Sequence, residues 1–268
     1  MKKLILIFLL IPSLCFGFVQ GKDLLNIGDI PEFGVPAVGW SILPQQSFIQ
    51  VFWQFEEASG TLYDQTTNDY DLIAGNASTY HATGIVDYAT SWNGTSNYMI
   101  HNNCNLLSGW DEMTAMFWLK TPASVDTTTQ KPITLLDSAG HYALLFYKHT
   151  DNKFRFYVST ADSDYRDILA ANVVSANTWY CIILRYKRNT TNGFNVLINN
   201  IPETDIENTG DYPLDTTGDT FTVGRMANTA ESYWEGLIDE GIIWNKYLTD
   251  EECSEVYTNT YKAYYRYR

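Results

Sequence analysis

The chain has 268 residues, with 31 acidic against 17 basic side chains and a net charge of −14. That balance repels phosphate backbones and anionic bilayers, so nucleic acid and membrane surfaces are set aside as partners. It suits hard cations such as calcium, and equally suits a protein kept soluble outside the cell by its charge. The length fits one large β domain or two small ones. Cys104, Cys181 and Cys253 form no CxxC pair, and His81, His101, His141 and His149 show no metal spacing, which argues against zinc.

The chain opens with Met1-Lys2-Lys3, an apolar run over 4–14, and small residues to Gly17. A basic start, a short apolar stretch and a small residue at its end predict a secretory signal peptide over 1–17. The run is too short for a membrane span, which needs about 20 apolar residues. The expected location is therefore secreted or at the cell surface, with no membrane span after processing. Lipidation at Cys15 and an uncleaved anchor helix stay open, although Leu14 fits a lipidation signal poorly. Residues 18–47 carry Pro31, Pro36 and Pro44 among Gly21, Gly28, Gly34 and Gly39, the punctuation of an extended arm.

From residue 48 onward, strand-like runs recur between turn signals. "FIQVFWQF" alternates Ile49, Val51, Trp53 and Phe55 against Gln50 and Gln54. It is followed by "MTAMFWLK", "HYALLFYK", "KFRFYVS", "TWYCIILRYK", "GFNVLIN", "TFTVG" and "GLIDEGIIW". Aromatic and β-branched residues suit a pleated surface, and "DNK", "RNTTNG" and "NTGDYP" supply turn chemistry. Many short strands without helical periodicity between them predict an all-β, two-sheet antiparallel jelly-roll sandwich over 48–260. Near the end, Thr249 followed by Glu252 forms a capping box, with Leu248 and Cys253 placed as a hydrophobic staple. One short helix is expected over 250–258, followed by a tail over 261–268.

"GLIDEGIIW" sets Asp239 and Glu240 side by side in a strand that is otherwise apolar. Strict alternation sends them to opposite faces. A buried carboxylate without a partner is too costly to keep, so each needs something to receive its charge.

The order of these blocks resembles the LamG-like jelly-roll domains of the concanavalin A-like lectin/glucanase superfamily. "WQFEEASGTLYDQTTNDYDLI" is similar to the opening strand and acidic loop. "SWNGTSNYMIH", "MTAMFWLKT", "NTWYCIILRYK" and "FNVLINN" resemble the strands that follow. "GLIDEGIIWNKYLTDEECSEVY" resembles the closing strand and helix. The resemblance implies that the closing-strand acid lies beside the loop after the first strand. Asp239 would then meet a calcium ion shared with Asp64, the carbonyl of Gly60 and Asn68; without metal, it would accept backbone N–H groups from the same loop. "DQTTNDYD" replaces a Gly-containing turn of the family, which leaves the ligand set open. Glu240 is expected on the opposite face, beside an arginine or at the rim.

Three roles follow. The first is a non-catalytic module binding carbohydrate or another cell-surface ligand through some of its 8 Trp and 19 Tyr. Trp92, Tyr98, Trp110, Tyr147, Tyr157, Tyr165 and Trp234 are the aromatic candidates, each weighed against ordinary core packing. The loop "NTAESYW" with nearby Arg225 leads among them, which gives Arg225, Tyr233, Trp234, Trp92 and Trp110 as the ligand-binding set. The second is a glycoside hydrolase, which needs two carboxyls about 5–5.5 Å apart when it retains configuration. "EGLIDE", "EEASG" and "ETDIEN" lack the superfamily's catalytic spacing or its strand context, so no catalysis is expected. The third is a structural or adhesive part of a surface or virion assembly, self-associating or docking through 18–47 or the tail "YKAYYRYR". Sequons stand at Asn76, Asn93 and Asn189.

Overall fold

The computed structural model describes residues 43–76, 79–136, 142–160, 165–210, 212–214, 219–227 and 229–266. The expected signal peptide and most of the arm lie outside the described residues. Among the described residues, fifteen strands are formed. They are β1 (Ile49–Trp53), β2 (Ile73–Asn76), β3 (Thr79–Thr83), β4 (Tyr88–Asn93), β5 (Tyr98–Cys104), β6 (Glu112–Lys120), β7 (Gln130–Leu136) and β8 (Tyr142–Lys148). Then come β9 (Lys153–Ser159), β10 (Tyr165–Val173), β11 (Trp179–Lys187), β12 (Phe194–Ile198), β13 (Ile201–Pro202), β14 (Asp219–Val223) and β15 (Glu235–Trp244). A short 3-10 helix over Gln46–Phe48 precedes β1, and an α-helix, α1 (Asp250–Arg266), closes the described chain.

An eight-stranded sheet runs β13-β12-β11-β6-β15-β4-β3, with β1 also paired to β15; a seven-stranded sheet runs β10-β9-β8-β7-β14-β5-β2. All pairings are antiparallel. The last strand lies inside its sheet. Its first half pairs with β4 and its second half with β1, while β6 runs along the other side.

Side-chain alternation builds two cores. Met113, Ala115, Phe117 and Leu119 of β6 join Ile182 and Leu184 of β11 in the cluster between the sheets. The intervening Met116, Trp118, Cys181 and Ile183 face the other way, into a second cluster with Leu248, Cys253 and Val256. This explains why "MTAMFWLK" and "WYCIILRY" read as unbroken apolar runs: both faces of those strands are covered.

The capping box forms as expected, with Thr249 N donating to Glu252 Oε2 at 2.8 Å and Glu252 N donating to Thr249 Oγ1 at 3.2 Å. The helix does not stop at residue 258, however, but continues to Arg266. Tyr257 and Tyr261, one turn apart, both stack on Trp118 at centroid distances of 5.7 and 6.2 Å. The first residue of the expected tail is thus part of the fold. The end of the expected arm is also engaged: Leu43 is buried, and Trp244 Nε1 donates to Pro44 O at 3.1 Å. Among the described residues, no helix is long and apolar enough to cross a membrane.

All three described cysteines are buried, and Cys181 and Cys253 are free thiols. Burial pushes Cys253 from 9.0 up to about 11. A folded-state value above the unfolded one gives stability that is intact below pH 9 and is lost as pH rises toward 11. Chemical denaturation of wild type and Cys253→Ala at pH 8 and pH 10.5 checks this. The wild type is expected to lose more of its stability between the two conditions than the variant does.

Candidate functional site

The strand β15 carries an irregularity where it passes the middle of the sheet. Its pairing with β6 shifts register between Asp239 and Ile242, and Glu240 adopts φ +45°, a left-handed conformation that glutamate rarely takes. The bulge breaks the alternation. Glu240 is not sent to the opposite face beside an arginine or the rim, as regular pleating would require. A carboxylate oxygen of Glu240, one of Asp239 and one of Glu56 instead lie within 4.8 Å of one another.

Asp239 is fully buried and well hydrogen-bonded. Its Oδ2 accepts the N–H of Ile85 at 2.7 Å and of Val86 at 3.1 Å, and its Oδ1 accepts the N–H of Glu240 at 2.9 Å. Glu56 follows β1 after Gln54 and Phe55 and accepts the Tyr88 N–H at 3.2 Å. Glu240 is also fully buried, yet neither of its carboxylate oxygens has a hydrogen-bond partner. Among the described residues, no lysine or arginine pairs with any of the three. Burial, and then the neighbouring negative charges, pushes the Glu240 carboxyl well above its usual range. Burial likewise raises Asp239, and Glu56 rises to about 8.

Three converging carboxylates, one of them with both oxygens unmatched, form an all-oxygen donor set. Such a set fits a hard divalent cation of the calcium type and does not suit a soft metal. Asp239 is the one expected ligand in this cluster. Asp64 instead organises its own loop, accepting from Phe52 N, Thr66 N, Thr66 Oγ1 and Tyr70 N at 2.7–3.1 Å. Gly60 O accepts the Tyr80 hydroxyl at 2.7 Å, and Asn68 Nδ2 donates to Gln50 O at 2.9 Å. The beginning and end of the sandwich do meet at an acidic cluster, but the companions of Asp239 are Glu56 and Glu240. Glu56 had a signal in the sequence. Antiparallel pairing of Trp53 with Gly241 brings the "QFEE" that follows β1 alongside "IDE".

A second feature lies on the seven-stranded sheet. Leu144, Phe146, Phe154, Phe156, Val158 and Ile168 face the inter-sheet core. Alternation therefore turns Tyr147, Arg155, Tyr157, Tyr165 and Asp167 to the outside. There Tyr147 stacks on Tyr157 at 5.7 Å and 18°, and Tyr157 meets Tyr165 at 5.8 Å. Arg155 lies 5.3 Å above the Tyr157 ring and holds Asp167 through Nε at 2.7 and 3.0 Å. Tyr165 is 63% exposed. The result is a ladder of rings rising from the sheet to solvent, bordered by a fixed charge pair.

The segments carrying Arg225, Tyr233, Trp234 and Trp92 do lie side by side, since Trp234 N donates to Gly224 O at 2.8 Å and Gly224 abuts the Trp92 indole, but they form no open aromatic surface. Trp92 and Trp234 are 2% and 0% exposed, so they are core residues and present no open ring face. Trp92 is held there by Gly224: with φ +91°, that glycine brings its backbone so close that a Cβ would lie 2.2 Å from the indole. Trp110 packs half-buried against the inter-sheet core, and Tyr233 is half-buried. Arg225 lies 3.5 Å above the ring of Tyr98, occupying that aromatic face itself. The acids of "ETDIEN" have a structural task. Glu203 Oε2 accepts the Ala171 N–H at 2.7 Å and Asp205 Oδ2 accepts the Leu169 N–H at 3.2 Å, which covers part of the outer edge of β10.

A family model of the concanavalin A-like lectin/glucanases superfamily matches residues 93–254. No curated protein matches the sequence significantly. Among solved structures, the binding domain of Paraclostridial Mosquitocidal Protein 1 superposes with a TM-score of 0.63 at 12% identity, over 79% of this chain and 52% of that one. The receptor binding domain of botulinum neurotoxin D gives 0.59 at 15% identity, over 79% and 52%. Trypanosoma rangeli sialidase in complex with sialic acid gives 0.60 at 11% identity, over 79% and 33%. The chain thus spans between a third and about half of these larger proteins. At such identities the likeness is one of fold.

Proposed function

Since the chain belongs to the concanavalin A-like lectin/glucanases superfamily, we propose that it is a non-catalytic binding module acting outside the cytoplasm. Its ligand is carbohydrate or another glycosylated cell-surface group, and calcium fastens its fold. The tyrosine ladder of β8–β10 carries this reading. Sugar rings present C–H faces that stack on aromatic faces, while bordering polar groups fix their hydroxyls. Tyr165 supplies the open face, Tyr157 backs it within the ladder, and Arg155 and Asp167 supply a donor and an acceptor held rigid by their mutual pairing. The neighbouring folds described as binding or receptor-binding domains support a recognition role. The engagement of Glu203 and Asp205 by backbone N–H groups supports a role without hydrolysis.

Within this reading, Glu56, Asp239 and Glu240 would hold the ion, whose double charge would offset two of their three negative charges, and by sharing it they would tie the segment after β1 to the middle of β15. The chain's own contribution is to pre-position Asp239 through the Ile85 and Val86 N–H groups and to aim Glu240 inward through its left-handed backbone.

A glycan array probed with wild type and Tyr157→Ala, each with and without chelator, tests the proposal. Wild type is expected to bind a restricted set of glycans. Tyr157→Ala is expected to lose about tenfold or more of that binding, in line with about 0.5–1.5 kcal/mol for an aromatic contact plus its buried area. Release of reducing ends from bound glycans, or unchanged binding by the variant, would count against it.

A further inference from the structure

The charge pair that borders the tyrosine ladder bears on which saccharides fit there. Arg155 Nε donates to Asp167 Oδ1 at 2.7 Å and to Oδ2 at 3.0 Å, and Nη2 donates to Oδ2 as well. A guanidinium is a planar fork that matches one carboxylate at two points. In this fold the fork already holds one. Asp167 is the more enclosed partner, with its side chain 18% exposed against 31% for Arg155. A carboxylate on a ligand takes the fork only by displacing Asp167, and that leaves a partly buried charge without its partner.

Strands β8, β9 and β10 carry three other bases, and none of them offers a substitute beside the exposed ring. Lys148 is buried and donates to Asp126 O at 2.8 Å and to Thr128 O at 2.7 Å. Arg166 alternates away from Tyr165 and Asp167. It donates from Nε to Asn208 O at 2.7 Å and from Nη1 to Tyr165 O at 3.1 Å. Lys153 alternates outward with Arg155 and Tyr157, but Tyr165 pairs with Ser159 at the opposite end of β9, about 20 Å away at the rise of a strand. The chain as a whole carries a charge of −14, and its field repels anions.

We infer that the ladder takes neutral saccharides in preference to acidic ones, and that Asp167 sets this preference by occupying Arg155. The inference rests on the carbohydrate reading and narrows it to a class of ligand. Hydroxyls suit the pair, because each can donate to the carboxylate or accept from the guanidinium. Neither contact asks the pair to open. A sialic acid, a uronic acid or a sulfate brings a negative charge for which the fork has no room.

The test is a panel of matched glycans, each with and without a terminal sialic acid, uronic acid or sulfate. It is offered to the full chain as wild type, as Asp167→Asn and as the double variant Arg155→Gln with Asp167→Asn. Wild type is expected to bind the neutral member of a pair about tenfold or more above its acidic counterpart. Asp167→Asn leaves the guanidinium charge uncompensated. The neutral-to-acidic ratio is then expected to fall about tenfold, and the acidic binding gained should weaken with added salt. The double variant has neither charge and should return to the neutral preference. Thermal midpoints of the variants separate a changed preference from lost folding, and the wild-type ratio is a test whatever the variants do. Wild type that binds acidic members as well as neutral ones overturns the inference and leaves the carbohydrate reading intact. A ratio unchanged in Asp167→Asn overturns the role of Asp167. Wild type silent across the whole panel overturns the carbohydrate reading, and this inference with it.

Discussion

Calcium added to chelator-treated protein is expected to raise its unfolding midpoint, and Glu240→Gln is expected to remove that response. At a calcium concentration 100 times the dissociation constant, an ion that binds only the folded state contributes about 2.7 kcal/mol. For a domain of this size that corresponds to about 5–10 °C in the midpoint. The reason lies in the cluster itself: Asp239 and Glu240 are fully buried, Glu56 is beside them, and among the described residues no basic side chain pairs with the three. Without a cation, the carboxylates must take up protons or repel one another. Glu240→Gln removes one charge from a group that has no hydrogen-bond partner to lose. In chelator the variant should therefore be at least as stable as wild type, while in calcium it falls below. Asp239→Asn should behave differently. It disturbs the acceptor of the Ile85 and Val86 N–H groups and should lower stability in both conditions. Calorimetry of the three proteins with calcium and with chelator separates these outcomes. An equal calcium response in wild type and Glu240→Gln would remove this cluster as the binding site.

Trp118→Ala is expected to destabilise the protein by about 3–5 kcal/mol, the range for truncating a large buried aromatic. Trp118 lies on the outward side of β6, where it receives Tyr257 and Tyr261 and donates from Nε1 to Thr260 Oγ1 at 3.0 Å. The substitution leaves a void under the helix and removes the rings that Tyr257 and Tyr261 stack on. Limited proteolysis should then cut within α1 before the sheets are attacked. Trp118→Phe retains an aromatic surface and loses the hydrogen bond, but Thr260 Oγ1 still donates to Val256 O at 2.9 Å. Its cost should be well below that of alanine. Urea denaturation gives both numbers, and an alanine variant within 1 kcal/mol of wild type would mean that the helix is held by something else.

The sequence showed the sandwich because its physical causes are local. Alternation in "KFRFYVS" places Phe154, Phe156 and Val158 inward, where the structure has them. The Thr249–Glu252 box likewise sets the start of the helix. The end of the helix was harder to read. Nothing in "YTNTYKAYYR" is a strong breaker, and the four-residue spacing of Tyr257 and Tyr261 becomes decisive only once Trp118 is known to lie beneath them. Strand β10 was also missed, since "YRDILAANV" mixes charges into its outward positions on an edge.

At the acid cluster, Asp239 was legible because a carboxylate in an apolar strand must be neutralised. Glu240 was not, because its direction depends on a left-handed residue inside a strand, which no propensity of glutamate predicts. Two members of the ligand-binding set, Trp92 and Trp234, are buried for a related reason. Trp92 and Trp234 sit near turn-rich polar segments, yet their size makes them the most effective filling for the space between the sheets. The tyrosines of β8–β10 carry the exposed aromatic surface instead.

The placement of β15 has a consequence for how the molecule comes into being. Synthesis runs from the N-terminus, so β1, β4 and β6 emerge long before the strand that will lie among them. Until about residue 244 has left the ribosome, their backbone edges on that side have no mate and the last contacts between distant segments cannot close. Acquisition of the native state should accordingly be late and slow, as it is for chains dominated by long-range pairing. Nascent chains halted before this point would be dependent on chaperones and prone to sticking together.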